Sequence, residues 1–189
     1  MSDSEQDKPN MPDERHPDVD AEQPTHVVYL GIGSNLGDRD EHLRAGLRAL
    51  SPAVAIERVS SVYDTAPLLL TDQPRFHNIA CMGRTALAPY ALLRLAKQIE
   101  RAQGRAAGPR YGPRPLDIDI LFYDDLILRT PELTLPHPGI AERAFVLLPL
   151  AEIAPDLRHP LIETSIRALA AKVRGQDARR AGALFTPGR

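Results

Sequence analysis

Apolar residues recur along the chain with two different periods, which separates predicted strands from predicted helices. Strand-like runs occupy residues 26–32, 54–63, 76–85 and 116–123. Two further stretches repeat apolar side chains every three or four residues, as amphipathic helices do. The first helix is predicted from the capping residue Asp38, with Glu41 as its capping-box partner, to Leu50. The second is predicted from Pro89 to Gly104.

These elements follow one another in the order β-α-β-β-α-β. This order favours an α+β fold of the ferredoxin-like type, a sandwich in which two helices cover one face of the sheet, with the last third of the chain as a C-terminal extension. The strand directions bring three loops to one end of the sheet: residues 33–37, 64–75 and 104–115. The last two are long, and long loops in compact domains are commonly binding elements or lids. We therefore expect a site at that end.

Charge is distributed unevenly along the chain. The first 25 residues contain eight acidic residues, two basic residues and four prolines, so we expect residues 1–25 to form a disordered acidic tail. The whole chain has a formal net charge of -2, so the part after the tail is net basic. The length of 189 residues predicts one catalytic domain, residues 26–173, followed by a loosely ordered tail, residues 174–189.

Composition also limits where the protein acts. No apolar run approaches the ~20 residues that a membrane helix requires. The acidic start resembles neither a secretory signal nor a mitochondrial presequence. The single cysteine, Cys81, lies in an apolar run and is expected to be a small buried side chain. We expect a cytoplasmic monomer with no membrane or nucleic-acid partner.

Two aspartates interrupt the apolar run of the fourth predicted strand, in the sequence R-Y-G-P-R-P-L-D-I-D-I-L. Side chains two apart in a strand point the same way, so Asp117 and Asp119 share a face, ~6 to 7 Å apart along the strand. Two like charges need countercharges, which arginines or hard divalent cations provide. Magnesium fits, because it commonly binds one or two carboxylates and substrate phosphates, and two ions could be held in this way. A solvated edge strand with a salt-bridge network is the structural alternative.

Three arginines, Arg105, Arg110 and Arg114, lie in the glycine- and proline-rich segment before this strand. A guanidinium group offers a planar set of donors suited to phosphate oxygens. Together with metal ions, such groups neutralise a transferring phosphoryl group and hold nucleophile and leaving group in line. The pattern therefore indicates phosphoryl-type transfer.

Other candidate motifs are weaker. The segment G-I-G-S-N-L-G-D fits neither the dinucleotide fingerprint nor the P-loop, and a tight strand-to-helix connection explains it. Phe76 and Asn78 share a face of the third strand, where a ring could stack on a flat heterocycle and an amide could bond its edge. Core packing is the alternative for both. His137, between two prolines, is a candidate phosphate or ribose contact.

Six segments taken together resemble the 6-hydroxymethyl-7,8-dihydropterin pyrophosphokinase family. In order along residues 27–157, they are V-Y-L-G-I-G-S-N-L-G-D, Y-D-T-A-P-L, D-Q-P-R-F-H-N, I-E-R-A-Q-G-R, R-Y-G-P-R-P-L-D-I-D-I-L and L-P-H-P-G-I-A-E-R-A-F-V-L-L-P-L-A-E-I-A-P. The resemblance implies transfer of the terminal diphosphate of ATP to the hydroxymethyl group of the pterin, with release of AMP, in folate biosynthesis. It also implies two magnesium ions and a ferredoxin-like fold with mobile loops over the site.

The resemblance assigns roles on the phosphate side by position. Asp117 and Asp119 resemble the family's magnesium ligands, and Arg105 and Arg114 resemble its two loop arginines that engage phosphates during catalysis. The residues that match positions lining the nucleotide side are Glu100, Arg110, His137 and Arg143.

On the pterin side, the resemblance implies a ring held between two aromatic side chains. Phe76 and Phe145 match that pair, and Asn78 matches the residue that reads the edge of the ring. The backbone or packing contacts correspond to Thr65, Ala66 and Leu68. The chain departs from the family pattern at two positions: Tyr111 stands where tryptophan is frequent, and Ala107 stands where a basic residue is common. These differences bear on loop closure and on the reaction rate, and not on which reaction is expected.

Two other functions are weighed against the diphosphokinase. One is a non-catalytic relative that binds a pterin or a nucleotide, which the unbroken set of Asp117, Asp119, Arg105 and Arg114 argues against. The other is a small RNA-binding sheet protein, which would need basic residues interleaved with exposed aromatics. The chain has only five tyrosines, four phenylalanines and no tryptophan, so it offers little for that role.

Overall fold

The computed structural model describes residues 25–68, 71–104 and 112–185. The strands are β1 His26–Ser34, β2 Ala55–Val59, β3 Val62–Thr65, β4 Phe76–Thr85, β5 Asp117–Tyr123, β6 Leu128–Arg129, β7 Thr134–Leu135 and β8 Ala178–Gly182. The α-helices are α1 Arg39–Leu50, α2 Pro89–Ala102, α3 Ala144–Ile153 and α4 Ile166–Lys172, with a 3-10 turn at Ile140–Glu142. None of the helices in these ranges has the length and apolar content needed to cross a membrane.

The core of the fold is a six-stranded sheet in the order β5-β1-β4-β3-β8, with β2 also paired to β4. Every pairing in this sheet is antiparallel. The prediction of an α+β fold built on an antiparallel sheet is therefore confirmed. A separate two-stranded ribbon joins β6 and β7.

Helices cover both faces of the sheet. On the first face, α1 and α2 bury apolar side chains such as Leu47 and Leu92 against Leu30 and other residues of β1, β4 and β5. The C-terminal extension covers the second face, where α3 and α4 pack side chains such as Leu147 against Phe122 of β5. Helix α1 begins as predicted, because the Asp38 carboxylate accepts the Glu41 N–H at 3.0 Å.

The second predicted strand is broken into β2 and β3, so the prediction of one continuous strand over residues 54–63 was wrong. The break falls at two buried serines. The Ser60 N–H donates to the Ala80 carbonyl, and the Ser60 hydroxyl accepts the Ala80 N–H, both at 2.9 Å. Ser61 instead turns towards α3 and donates its N–H and hydroxyl to Glu152. Serine side chains therefore replace part of the ladder at this point.

Part of the predicted C-terminal tail forms a strand. Residues 174–189 were expected to be loose, but β8 extends the sheet beyond β3 and pairs Ala178 with Thr65. Four of its five residues are exposed. An exposed strand with almost no apolar side chains lacks the alternation by which strands are recognised in a sequence, which explains the error.

Three connections meet at one end of the sheet, as predicted: the segment after β1, the segment between β3 and β4, and the segment before β5. Asn35 of the first is hydrogen-bonded to Pro74 of the second and Arg114 of the third. The glycine-rich motif divides differently from the prediction, because Gly33 belongs to β1 and only Gly37, with a φ of 59°, lies in the turn.

Replacing Leu43 in α1 tests the first core. Leu43 is 0% exposed, so Leu43→Ala should lower the free energy of unfolding by about 2–5 kcal/mol through lost burial and a cavity. Urea denaturation followed by circular dichroism measures this change. The matched control is Leu161→Ala, because Leu161 is 44% exposed and its loss should change stability by about 0.5 kcal/mol or less. Equal effects of the two substitutions would contradict the packing described here.

Candidate active site

A cavity of about 700 Å³ opens where these connections meet. It lies on the face of the sheet that carries α3 and also receives residues from α2. The predicted site residues that line it are Thr65, Ala66, Leu68, Phe76, Asn78, Arg114, Asp117, Asp119, His137, Arg143 and Phe145. Residues that are far apart in the sequence are therefore brought together as predicted.

Two glycines of β1 form part of the cavity wall between the acidic strand and the strand that carries Asn78. Gly31 is opposite Asp119 and Gly33 is opposite Asp117 in the β1–β5 pairing, while Gly33 is opposite Asn78 in the β1–β4 pairing. A Cβ atom at Gly33 would lie 2.5 Å from the Asn78 Oδ1 atom. Gly33 is therefore needed for the close approach of the Asn78 side chain across the strand, and not for a phosphate-binding turn.

The two aspartates lie side by side on β5, partly exposed to the cavity. Arg114 Nη1 donates to Asp117 Oδ2 at 2.9 Å. Burial and the neighbouring Asp117 charge raise the pKa of the Asp119 carboxyl well above its usual range, while Lys97, Arg143 and Arg114 act in the opposite direction. The positive groups described here thus compensate the acidic pair only in part. A hard cation held by these oxygens would complete the compensation.

His137 and Arg143 form another part of the wall. The His137 N–H donates to the Leu121 carbonyl at 3.0 Å, which ties the residue to β5. Its Nδ1 atom accepts the Gly139 N–H at 3.2 Å, so the neutral ring carries its proton on Nε2. Burial and the charge of Arg143 lower the pKa of His137 to about 4. His137 is therefore a neutral hydrogen-bond donor near pH 7.

Arg143 lies over Gly139 and near Phe145. A Cβ atom at Gly139 would lie 2.4 Å from the Arg143 Cζ atom, so a larger residue would displace the guanidinium group from this position. The same Cζ atom is 5.8 Å from the centre of the Phe145 ring. A positive charge and an aromatic face are thus presented next to each other at the cavity.

Glu100 does not line the cavity. It is 1% exposed, and its Oε1 atom accepts the Ile118 N–H of β5 and a hydrogen bond from Lys97, each at 2.8 Å. Its place in the structure is beneath the site, where it connects α2 to the acidic strand. Lys97, which the sequence analysis missed, does line the cavity. Its signal was a lysine three residues before a buried glutamate on the same helix.

The remaining wall is mostly apolar and contains one amide. Asn78 is buried and its Nδ2 group donates to the Thr65 hydroxyl at 2.8 Å, which fixes the orientation of the amide across β3 and β4. Phe76 and Phe145 are both half-buried and both line the cavity. Aromatic side chains beside an oriented amide suit a flat ring with polar atoms on its edge.

Asn35 is a second residue that the sequence analysis missed. It is 1% exposed, and its Oδ1 atom accepts the Arg114 N–H at 2.8 Å while its own N–H donates to the Arg114 carbonyl at 3.2 Å. Its Nδ2 group donates to Gln73 Oε1 at 3.0 Å and to the Pro74 carbonyl at 3.2 Å. One buried amide therefore connects all three segments around the cavity. An asparagine after a strand gives no sequence signal that separates this role from turn formation.

Four residues named from the sequence lie outside the described residues. They are Arg105, Ala107, Arg110 and Tyr111. The described part of the same connection includes Gly104, Gly112, Pro113, Arg114 and Pro115, which line the cavity.

Carboxylates, cationic side chains and an aromatic recess lie together in one cavity. This is the class of site whose chemistry suits a phosphorylated ligand beside a flat ring. The family model for 7,8-dihydro-6-hydroxymethylpterin-pyrophosphokinase (HPPK) matches residues 29–155. The chain belongs to this family.

Curated relatives fall into two groups by length. The chain is 43% identical over 137 residues to "Folic acid synthesis protein FOL1" of Dictyostelium discoideum, covering 72% of this chain and 21% of the relative. It is 44% identical over 130 residues to "2-amino-4-hydroxy-6-hydroxymethyldihydropteridine pyrophosphokinase" of Bacillus subtilis, covering 68% of this chain and 78% of the relative. The chain thus spans about a fifth to a quarter of the longer relatives.

A solved structure shares the fold. In Plasmodium falciparum HPPK-DHPS, a triple mutant with SDX-DHP superimposes with a TM-score of 0.65 at 18% identity, covering 81% of this chain and 45% of that chain. At this level of identity the similarity concerns the fold alone.

The acidic pair predicts a stability that depends on pH when no divalent metal is present. The raised pKa means that folded Asp119 keeps its proton to a higher pH than the unfolded chain does. Stability from this group is therefore lost as pH rises from the ordinary carboxyl range through the raised pKa. In EDTA, Asp119→Asn should raise the melting temperature relative to wild type more at pH 8 than at pH 5. Thermal scans at the two pH values measure the difference.

The control for that experiment is Asp156→Asn. Asp156 is 86% exposed and paired only with Arg167 among the described ion pairs. Its substitution should give the same small change at both pH values. Addition of Mg²⁺ at pH 8 should stabilise wild type and not the Asp119→Asn variant. A melting-temperature difference for Asp119→Asn that is equal at pH 5 and pH 8 would rule out unrelieved repulsion at this pair.

Proposed function

We propose that the protein is an ATP-dependent diphosphokinase, which transfers diphosphate from ATP to 6-hydroxymethyl-7,8-dihydropterin and gives the pterin diphosphate and AMP in folate biosynthesis. One observation carries this proposal: the cavity joins the acidic pair of β5 with a recess of two phenylalanines and one oriented amide. Family membership and the names of the relatives support the same reaction.

In the proposed reaction, the hydroxymethyl oxygen of the pterin forms a bond to the β-phosphorus of ATP. The bond from that phosphorus to the oxygen bridging the α- and β-phosphates breaks, and its electron pair stays with AMP. The hydroxyl proton passes to water. The principal demands on the protein are to hold the two oxygens in line and to neutralise charge on the phosphates.

The cationic side of the cavity meets the second demand. Arg114, Lys97 and Arg143 all line it and supply positive charge, and neutral His137 supplies an Nε2 donor. We assign these four residues to the phosphate and nucleotide side. Arg105 and Arg110 remain proposed as further phosphate contacts, on the resemblance to the family alone.

Asp117 and Asp119 fit magnesium. Both supply hard oxygen atoms from one rigid strand, and the raised pKa of Asp119 marks a pair that an additional cation would relieve. We propose that they hold two Mg²⁺ ions together with the phosphates of ATP. Bound magnesium would neutralise the phosphate oxygens and orient the diphosphate.

The aromatic side of the cavity is proposed as the pterin subsite. Phe76 and Phe145 would hold the ring between them, and Asn78 would bond its edge with the amide that Thr65 orients. Ala66 and Leu68 line the same recess and would supply backbone or packing contacts to the ring.

The finer fold assignment is also a proposal. If β2 and β3 count as one interrupted strand, the sheet order β5-β1-β4-β2/β3 is the order of a ferredoxin-like sheet. In this assignment β8 and the helices α3 and α4 are additions to that core. Action as a monomer in the cytoplasm, without a membrane or nucleic-acid partner, stays a prediction.

The reaction is tested by incubating the protein with ATP, Mg²⁺ and the hydroxymethyl dihydropterin, then separating the nucleotides. AMP should appear in step with consumption of the pterin. ADP would indicate transfer of a single phosphoryl group, and binding of both substrates without turnover would indicate a non-catalytic relative. Either result would refute the proposal.

Removing one carboxylate tests the metal assignment. Asp117→Ala should lower turnover by about 1000-fold or more, because the metal would lose one of its two protein ligands. The matched control is Asp125→Ala, since Asp125 is exposed just beyond the far end of the same strand. Initial rates of AMP formation, with circular dichroism to verify folding, measure the effect. Near-full activity of Asp117→Ala would exclude Asp117 as a metal ligand.

Filling the space at Gly33 tests the pterin subsite. Gly33→Ala places a methyl group against the Asn78 amide, so the dissociation constant of the pterin should rise at least about 10-fold, because the buried amide must move. Gly175→Ala is the control, because a Cβ atom there has no neighbour within 4 Å. Isothermal titration calorimetry with the pterin measures both variants. Unchanged affinity in Gly33→Ala would separate Asn78 from pterin binding.

A further inference from the structure

The connection between β3 and β4 runs from Ala66 to Arg75, and both of these end residues contact Asp177, the residue before the C-terminal strand β8. Ala66, Pro67, Leu68 and Gln73 of this segment line the cavity, as do the flanking residues Thr65 and Phe76. Strand β8 and the residue before it, Asp177, lie beyond residues 29–155, the part that the family model matches. Asp177, which lies outside the family match, therefore contacts residues of the connection that lines the proposed pterin subsite.

Asp177 holds the first end of this segment through its backbone. The Ala66 N–H donates to the Asp177 carbonyl at 3.0 Å. The contact continues the β3–β8 ladder, in which Thr65 is paired with Ala178. Ala66 is therefore fixed immediately after the strand ends.

Asp177 holds the other end of the segment through its side chain. Arg75 Nη1 donates to Asp177 Oδ2 at 2.5 Å and Arg75 Nη2 donates to Asp177 Oδ1 at 3.1 Å, which is a two-pronged arginine–carboxylate pair. The hydrogen bond from Arg75 is the main reason why the pKa of Asp177 lies below its usual value. The residue after Arg75 is Phe76, which lines the proposed pterin subsite.

Arg75 is itself held by further contacts. Its Nε group bonds the Asp64 carboxylate and its Nη2 group donates to the Asp64 carbonyl at 3.3 Å. Its own carbonyl accepts a hydrogen bond from Arg39 Nη1 at 2.9 Å. Arg75 is thus a fixed point at the end of the segment, and Asp177 joins this fixed point to Ala66 at the other end.

We propose that Asp177 is a positioning residue, which fixes both ends of the 66–75 segment and thereby sets the affinity of the cavity for its flat-ring substrate. The proposal rests on the proposed function only for the identity of that substrate. Asp177 does not line the cavity, so its effect must pass through Ala66, Arg75 and Phe76.

Kinetics of Asp177→Asn test the proposal. The substitution keeps the shape of the side chain and removes the charge that holds Arg75. The KM for the pterin should rise by about 3- to 10-fold, as expected for loss of a partly exposed charged pair that orders a binding segment. The KM for ATP should stay within about twofold of wild type, because the phosphate side of the cavity receives no contact from Asp177 among the described residues.

The matched control is Asp156→Asn. Asp156 belongs to the same C-terminal extension and also accepts a hydrogen bond from an arginine, Arg167 Nη2 at 2.9 Å, but its only ion pair among the described residues is with Arg167. Both KM values should be unchanged in this variant. Asp177→Glu restores the carboxylate and should recover at least part of the pterin affinity.

Hydrogen–deuterium exchange gives a readout that does not depend on turnover. A peptide containing Arg75 and Phe76 should exchange faster in Asp177→Asn than in wild type, because the substitution weakens the side-chain contact at Arg75, and at the wild-type rate in Asp156→Asn. If wild type forms no AMP, the proposed function fails, and this exchange measurement still tests the positioning contact. An unchanged pterin KM in Asp177→Asn, or an equal rise of both KM values, would overturn the proposal. Unchanged exchange in the peptide that contains Arg75 and Phe76 would do the same.

Discussion

The organising constraint of this molecule is the burial of two carboxylates that strand geometry places on one face. Asp117 and Asp119 are partly buried at the start of β5, and burial, followed by the neighbouring Asp117 charge, raises the pKa of the Asp119 carboxyl above its usual range. Several features of the surroundings make this arrangement tolerable. Arg114 pairs with Asp117, and the buried Glu100 holds the backbone at Ile118. Strand β5 is held by the hydrogen bond from the Ile118 N–H to Glu100, while the side chains of Asp117 and Asp119 face the cavity.

The same constraint explains the shape of the cavity wall. A residue larger than glycine at position 33 would meet the Asn78 amide, so β1 must be bare between the charged strand and the aromatic recess. The charged and apolar halves of the cavity are therefore separated by the part of β1 where Gly31 and Gly33 carry no side chain. Two chemically different ligands can lie next to each other across it, which is the arrangement that transfer between them requires.

Periodicity made much of the fold predictable, and long-range contacts made the rest unpredictable. The antiparallel α+β order and the shared face of Asp117 and Asp119 follow from alternation along the chain, which depends on near neighbours only. The break at Ser60 depends on Ala80, the burial of Glu100 depends on β5, and the order of β8 depends on β3. None of these partners is visible from the local sequence. Asn35 was missed for the same reason, since it acts through contacts with distant segments. Lys97 pairs with Glu100 three residues away on the same helix, but its position at the cavity depends on how α2 packs against β5.

Asn35 has a consequence for how the mouth of the cavity moves. Its buried amide is hydrogen-bonded to Arg114 on one side and to Gln73 and Pro74 on the other. Neither neighbouring segment can swing away alone without leaving polar atoms of this side chain unsatisfied in a dry environment. A displacement of one of these described segments would therefore strain its contact with the other, because both share the hydrogen bonds of a single side chain.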